Sequence, residues 1–396
     1  MSEVRAVGAA SAIVRHPDWR AALAGVLQHV TARVADPDLA VLFASASYEH
    51  EFPELIERAQ QALHARVLIG CSGQGIIGPS TEVEGEPALT LLTLSLPDAL
   101  LEARHLSQAE LQRCDSADAT RALLGVPLDD VSTWILLADP FTLDAERLLA
   151  VLSTAYPGVP LLGGMASGEQ ANRRTHLFLD GQVHIDGALA LAVGGPLTIR
   201  SIVSQGCNPI GRPWTITGAQ NQIISSIAGR PALDVLTETI EQLPEEERQR
   251  AQQNLLIGLA MDEYRDDFGR GDFLIRNLLG ADRESGAISI SALPREGQTL
   301  QFQVRDAEAA DEDLRLLLDE AKTSALAGGE PMAALLWSCN GRGQGLFGSP
   351  DHDAKAIADI LGPIPLAGFF CNGEIGPVGS ENYLHGFTAS IALFSK

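Results

Sequence analysis

Basic residues are scarce. The 396-residue chain has 28 lysines and arginines against 51 aspartates and glutamates, a net charge of −23. A phosphate backbone is held by basic surface, so no nucleic-acid partner is expected. An anionic membrane surface is disfavoured on the same ground. The charge keeps the protein in solution. No run of about eighteen apolar residues occurs, so no membrane-spanning helix is expected. The N-terminal MSEVRAVGAASAIVRHPDW lacks the basic start and apolar run of a secretion signal. Cysteine is rare as well, confined to Cys71, Cys114, Cys207, Cys339 and Cys371. An odd count without a secretion signal predicts reduced thiols and a cytoplasmic location.

Several motifs are missing. There is no CxxC, so Cys71, Cys207, Cys339 and Cys371 lack the paired spacing of a structural zinc site, and no metal is expected. No GxSxG or HExxH occurs, and no catalytic residue is assigned. GQGIIG (73–78) and GQGLFG (343–348) match GxGxxG by letter, but neither opens a helix directly, as a dinucleotide site requires. CNGRGQG lacks the GK[ST] ending of a phosphate loop. With 45% hydrophobic and 20% charged residues, the composition is globular.

What is present is repetition. LAVLFASAS (39–47) reads as a buried strand. FPELIERAQQALH follows as a helix, with Leu55, Ile56, Ala59 and Leu63 on one face. ARVLIGCSGQGIIG is a second strand opening into a glycine loop. STWILLADP, TLDAERLLAVLSTAYPG and VPLLGGMASG repeat that order from residue 132, followed by a hairpin turning at Asp180-Gly181. PMAALLWSCNGRGQGLFG, DAKAIADILG and IPLAGFFCNGEIGPVG repeat it from 331. A fourth, diverged copy is expected from NLLIGLAMD (254–262), with a hairpin at GAISISALPREGQTLQFQV. EQLPEEERQRAQQ (241–253) reads as a solvated helix. The predicted fold class is α/β, two pseudo-symmetric halves of repeated strand–helix–strand–hairpin units with layered sheets and helices. The halves are expected at 30–215 and 216–396.

VLIGCSGQGIIG and VPLLGGMASG in the first half, with RGDFLIRNLLGAD, GQTLQFQVRDAEAADEDL, WSCNGRGQGLFG and IPLAGFFCNGEIGPVGSENYLHGFTASIALF in the second, carry a resemblance over roughly residues 30–396. The chain resembles the FIST family, in its N-terminal and C-terminal parts. The resemblance implies a small-ligand sensory domain of signalling proteins, with amino acids as suggested ligands. Some relatives look like haem-based nitric oxide sensors. No kinase, cyclase, receiver or F-box segment accompanies the resemblance here, so a separate signalling protein is the expected output partner.

Ligands of α/β sheets sit beyond the carboxyl ends of strands, where glycine lets backbone approach closely. The expected site is therefore built from strand-end loops: Ser45, Cys71, Ser72, Gly73, Gly164, Cys339, Asn340, Cys371, Asn372 and Glu374. The loops could serve instead as turns that every copy needs. Arg276 with Asn277, and Arg342 within CNGRGQG, suit a ligand carboxylate or phosphate. Arg342 could equally satisfy loop carbonyls or pair with Glu374. His385, taken to open the last strand, and Glu374 are the acid–base candidates. A letter alignment sets Cys71 on Cys371 and Gln74 on Glu374.

The expected function is reversible binding of an amino acid or other small acid between the two halves, reported to a signalling partner. The alternatives are a haem-based gas sensor and a cysteine-dependent enzyme of unknown substrate. No cofactor is expected. Haem rests on the resemblance, since His16, His29, His105, His176 and His184 form no attachment signature.

Overall fold

The computed structural model describes residues 7–168, 173–265 and 267–395. By spatial contact the chain forms two units. The first comprises 1–203, 315–384 and 388–396; the second comprises 204–314 and 385–387. The second is inserted in the sequence of the first.

The first unit contains three copies of one motif. In copy one, Leu39–Ser45 is followed by the helix Phe52–Leu63 and the parallel strand Val67–Gly73. In copy two the same parts are Thr133–Ala138, Ala145–Ala155 and Leu161–Met165. In copy three they are Pro331–Cys339, His352–Leu361 and Leu366–Cys371. A hairpin and an antiparallel return strand follow each: Gly75–Glu84 then Ala88–Ser95, Leu177–His184 then Ala188–Gly194, and Glu374–His385 then Thr388–Ser395. An edge strand begins each copy: Gly8–Arg15, Leu100–Leu106 and Thr198–Gln205.

Each hairpin leaves its own copy. The first adds to the sheet of copy three, the second to that of copy one, and the third to that of copy two. Three six-stranded sheets result, identical in strand order, and the exchange closes in a ring. Side chains alternate along each strand. Leu39, Val41 and Phe43 enter a cluster shared by all three copies, with Ile135, Leu137, Trp337 and Phe369. Ala40, Leu42 and Ala44 face the helices, against Phe52, Leu55, Ile56 and Ala59. Both faces are buried, which is why these strands read as unbroken apolar runs.

Local signals match the sequence. Asp144 caps Ala145–Ala155 by accepting from the Arg147 amide at 3.0 Å. Asp180 and Gly181 turn their hairpin with φ of 45° and 85°, as a two-residue type I′ loop demands. The helix Glu245–Asn254 takes up most of the acidic 241–253 stretch. Among the described residues, no helix is long and apolar enough to cross a membrane.

The expected fourth copy is a different structure. Leu255–Ala260 lies between two antiparallel neighbours, Phe273–Asp282 and Thr299–Arg305. It belongs to a seven-stranded sheet in the second unit, and pairing of Cys207–Gln220 with Ile223–Ile227 closes that sheet on itself. Among the described residues no helix separates Leu255–Ala260 from Phe273–Asp282, and the two strands pair antiparallel rather than through a parallel crossover. The repeat count is three.

One glycine per copy fixes the spacing of the parallel pair. A Cβ on Gly70, Gly163 or Gly368 would stand 1.8, 1.9 or 2.2 Å from the carbonyl oxygen of Leu42, Leu136 or Leu336. Gly70→Ala is expected to destabilise the protein by about 3 kcal/mol or more, because backbone cannot give way as a side chain can. Gly345→Ala meets open space and is expected to stay within about 0.5 kcal/mol of wild type. Urea denaturation of the two variants checks both values.

Candidate functional site

The matched glycines define which loop positions correspond. Gly70, Gly163 and Gly368 stand opposite Leu42, Leu136 and Leu336 in the parallel registers. Counting from them, Cys371 corresponds to Gly73 and Ala166. The letter alignment of Cys71 with Cys371 is therefore displaced by two residues. Cys71 corresponds to Gly164 and Phe369. Glu374 pairs opposite Gly164, where the other copies have Leu177 opposite Cys71 and Ile76 opposite Phe369. Glu374 thus occupies a slot that is apolar in both sister copies, rather than the place of Gln74.

The glycine loops of the three copies bond to one another. Ser72 Oγ donates to the Ser167 carbonyl at 2.8 Å and accepts from the His176 amide at 3.0 Å. Ser167 Oγ accepts from the Gln74 amide at 2.7 Å and donates to the Phe370 carbonyl. The Met165 amide donates to Gly373 O at 2.8 Å, and the Asn372 amide to Met165 O at 3.1 Å. Asn340 joins this hub through its side-chain amide, which donates to Asn372 Oδ1 at 2.7 Å. Gln74 and Asn372 are exposed, Asn340 is half-buried, and Ser72, Gly73 and Gly164 are buried.

Beneath the loop lies a charged core. Arg342 is fully buried and grips Asp353 with two nitrogens, Nε to Oδ2 at 2.8 Å and Nη2 to Oδ1 at 2.9 Å. Its partner is Asp353, not Glu374, because the helix starting at His352 presents that carboxylate directly beside the loop. Ser338 Oγ at 2.9 Å and the His352 Nδ1 at 2.9 Å complete the shell of Asp353. Burial alone would raise the Asp353 carboxyl, but Arg342 outweighs it and holds it well below the usual carboxylate range. Arg342 Nη1 and Asn340 Oδ1 are buried without a hydrogen-bond partner.

Glu374 and Glu82 are buried carboxyls as well. Glu374 accepts from the Cys371 thiol at 3.2 Å and the Thr388 amide at 3.1 Å. Burial pushes it up to about 8. Glu82 accepts from the Ala354 amide at 3.0 Å. Burial first, and then the charge of Asp353, pushes it up to about 8. Burial also raises the thiols of Cys71 and Cys371 well above their ordinary value, Glu374 adding to the effect at Cys371. A standing thiolate nucleophile is disfavoured at both.

The remaining candidates lie elsewhere. Ser45 Oγ accepts from the Ala88 amide at 2.9 Å and donates to Glu86 O, tying down the return strand. Arg276 and Asn277 sit within the strand Phe273–Asp282 of the second unit, opposite Ile257 and Leu256. His385 ends the hairpin strand Glu381–His385; the last strand starts at Thr388. Cys207 packs in the second unit with Leu256, Phe273 and Ile275. Among the described residues, no group of three or more His, Cys, Asp or Glu is placed to hold a metal ion. Sequence reasoning missed Asp353, Glu82 and Ser167. Ser167 lies in GMASG, which follows its second strand as the other glycine loops do.

Comparison with known proteins bears on this arrangement. The FIST N domain matches residues 38–230, and the FIST C domain matches 232–377. An uncharacterized protein of Mycobacterium tuberculosis (strain CDC 1551) is 42% identical over 382 residues, covering 96% of this chain and 97% of its own. An uncharacterized protein of Mycobacterium bovis is 40% identical over 360 residues, 90% of each chain. A crystal structure of a cyanuric acid hydrolase from A. caulinodans aligns over 98% of this chain and 99% of that chain, with 11% identity and a TM-score of 0.35.

Two outcomes are expected. Arg342→Ala strands Asp353 without its partner and should cost about 3–5 kcal/mol of stability in chemical denaturation. The second concerns pH. An unfolded Glu374 gives up its proton near its ordinary 4.5, and the folded one near 8. Between those values the folded state holds more protons, so stability falls as pH rises. Glu374→Gln is expected to flatten this fall in denaturation series between these pH values, leaving the part due to Glu82. An unchanged slope would refute the assignment.

Proposed function

The chain belongs to the FIST family, small-ligand sensory domains of signalling proteins, and from that premise we propose that it binds an amino acid or other small acid at the hub where its glycine loops meet. Both halves of the sequence contribute to that hub, copies one and two from the first and copy three from the second. The observation that carries the reading is the pair of unspent polar atoms on one loop. Asn340 Oδ1 is an acceptor and Arg342 Nη1 a donor, and neither has a partner. A buried polar atom left alone costs about 1–3 kcal/mol. A zwitterion, carrying both a donor and an acceptor, satisfies them together.

The charge of Arg342 is balanced by Asp353, so Arg342 contributes a single directed N–H rather than a bidentate grip on the ligand. Asn340, Asn372 and Gln74 form the accessible rim, and Gly73 and Gly164 keep the backbone close. Ligand binding joins loops from three copies, and that redistribution of populations is the signal. The receiver is a separate signalling protein, the location is the cytoplasm, and no resident cofactor is required.

Thermal-shift titration with single amino acids and small carboxylic acids tests the proposal. At least one is expected to raise Tm in a saturable way. Asn340→Ala and Asn372→Ala are expected to abolish that rise with little change in the ligand-free Tm. A screen without any stabilising compound, or unaltered binding in both variants, overturns the site. Added haem is expected to give no Soret band; a sharp one would favour gas sensing.

A further inference from the structure

Cys339 and Cys371 stand directly opposite one another. They are the last residues of two neighbouring parallel strands, paired in register. Opposed residues on such strands have side chains on the same face, and their backbones lie about 4.7–4.9 Å apart. A disulfide accepts Cα separations of roughly 4.4–6.8 Å. The two thiols also converge on one acceptor: Cys371 Sγ lies 3.2 Å from Glu374 Oε1, and Cys339 donates to the same carboxyl. Both are free. They differ in access, since Cys339 is half-buried and Cys371 fully buried.

We propose that Cys339 and Cys371 form a reversible intramolecular disulfide when the protein meets a peroxide, with Cys339 as the attacked thiol and Cys371 as the resolving one. In the first step the Cys339 sulfur attacks one peroxide oxygen. An S–O bond forms, the O–O bond breaks, and the departing oxygen takes the thiol proton to leave as water or an alcohol. In the second step the Cys371 sulfur attacks Cys339 Sγ. The S–S bond forms, the S–O bond breaks, and the hydroxide leaves as water with the Cys371 proton, which Glu374 is placed to relay. Two thiols are oxidised and one peroxide is reduced.

Burial and Glu374 hold the Cys371 thiol protonated, so Cys371 does not react first. The half-exposed partner sets the order. The same two residues precede Asn340 and Asn372, whose side chains bond at 2.7 Å. A disulfide at this point ties the loop of the first strand to that of the second, so oxidation controls the loop rim. The crosslink itself does not depend on the identity of any ligand, and its chemistry is tested without one.

Treatment of the whole protein with hydrogen peroxide, followed by alkylation in denaturant and peptide mass spectrometry, decides the matter. The chain is expected to lose two of its five free thiols and to yield one 339–371 crosslinked peptide, reversed by dithiothreitol. Cys371→Ser is expected to stop at a Cys339 sulfenic acid trapped by dimedone. Cys339→Ser is expected to leave Cys371 reduced, and Cys114→Ser to leave the crosslink intact. Free thiols at both positions after oxidation, a sulfinic acid at Cys339 without crosslink in the wild type, or a crosslink between other cysteines would each overturn the proposal.

Discussion

A buried strand cannot leave one edge unpaired, because each orphaned N–H or C=O forfeits a hydrogen bond to water and gains none in return. The strand Val67–Gly73 and its two counterparts face this constraint. None meets it within its own copy. The free edge of each is covered by a hairpin from another copy, at Leu177–Leu179, Gly75–Gly78 and Glu374–Val378. The exchange makes the three copies interdependent and brings their glycine loops to one place. The hub follows from backbone pairing before any side chain acts.

Symmetry then supplies a standard against which single residues can be read. The hairpin residue facing the second strand is Ile76 in one copy, Leu177 in another and Glu374 in the third. All three are buried. Two obey the apolar rule, and the third places a carboxyl in the same environment, where it retains its proton to about 8. Copy three also holds the fully buried Arg342–Asp353 pair. Polar groups are costly in such slots unless fully satisfied. Glu374, Arg342 and Asp353 all belong to copy three, and the hairpin of copy one brings Glu82 beside them through the Ala354 amide.

Much of this was legible in the sequence. Unbroken apolar runs ending at Ser45, Asp139 and Cys339 marked the first strands, because burial on both faces leaves no alternation. Asp144 and Asp180-Gly181 marked a helix start and a turn through local chemistry alone. Less legible was the fourth copy: Leu255–Ala260 is as apolar as the parallel strands, and composition does not record the direction of a neighbour. Alignment of CSGQG with CNGEIG failed for a related reason. The residue that fixes the register is the glycine before the loop, recognisable only by its approach to the Leu42, Leu136 or Leu336 carbonyl.

The sequence by itself determined the α/β class, the strand–helix–strand order of three copies and the family resemblance, since these rest on periodicity and turn chemistry within a few residues. Tertiary structure decided which side chains those loops set against one another. The charge of Arg342 could have been balanced by a ligand or by Glu374; it is Asp353, eleven residues along on the helix His352–Leu361, that neutralises it. Cys339 and Cys371 are separated along the chain yet share one register position. Such pairings arise from hydrogen bonding between strands and from packing of a helix end, and neither leaves a local trace in the order of residues.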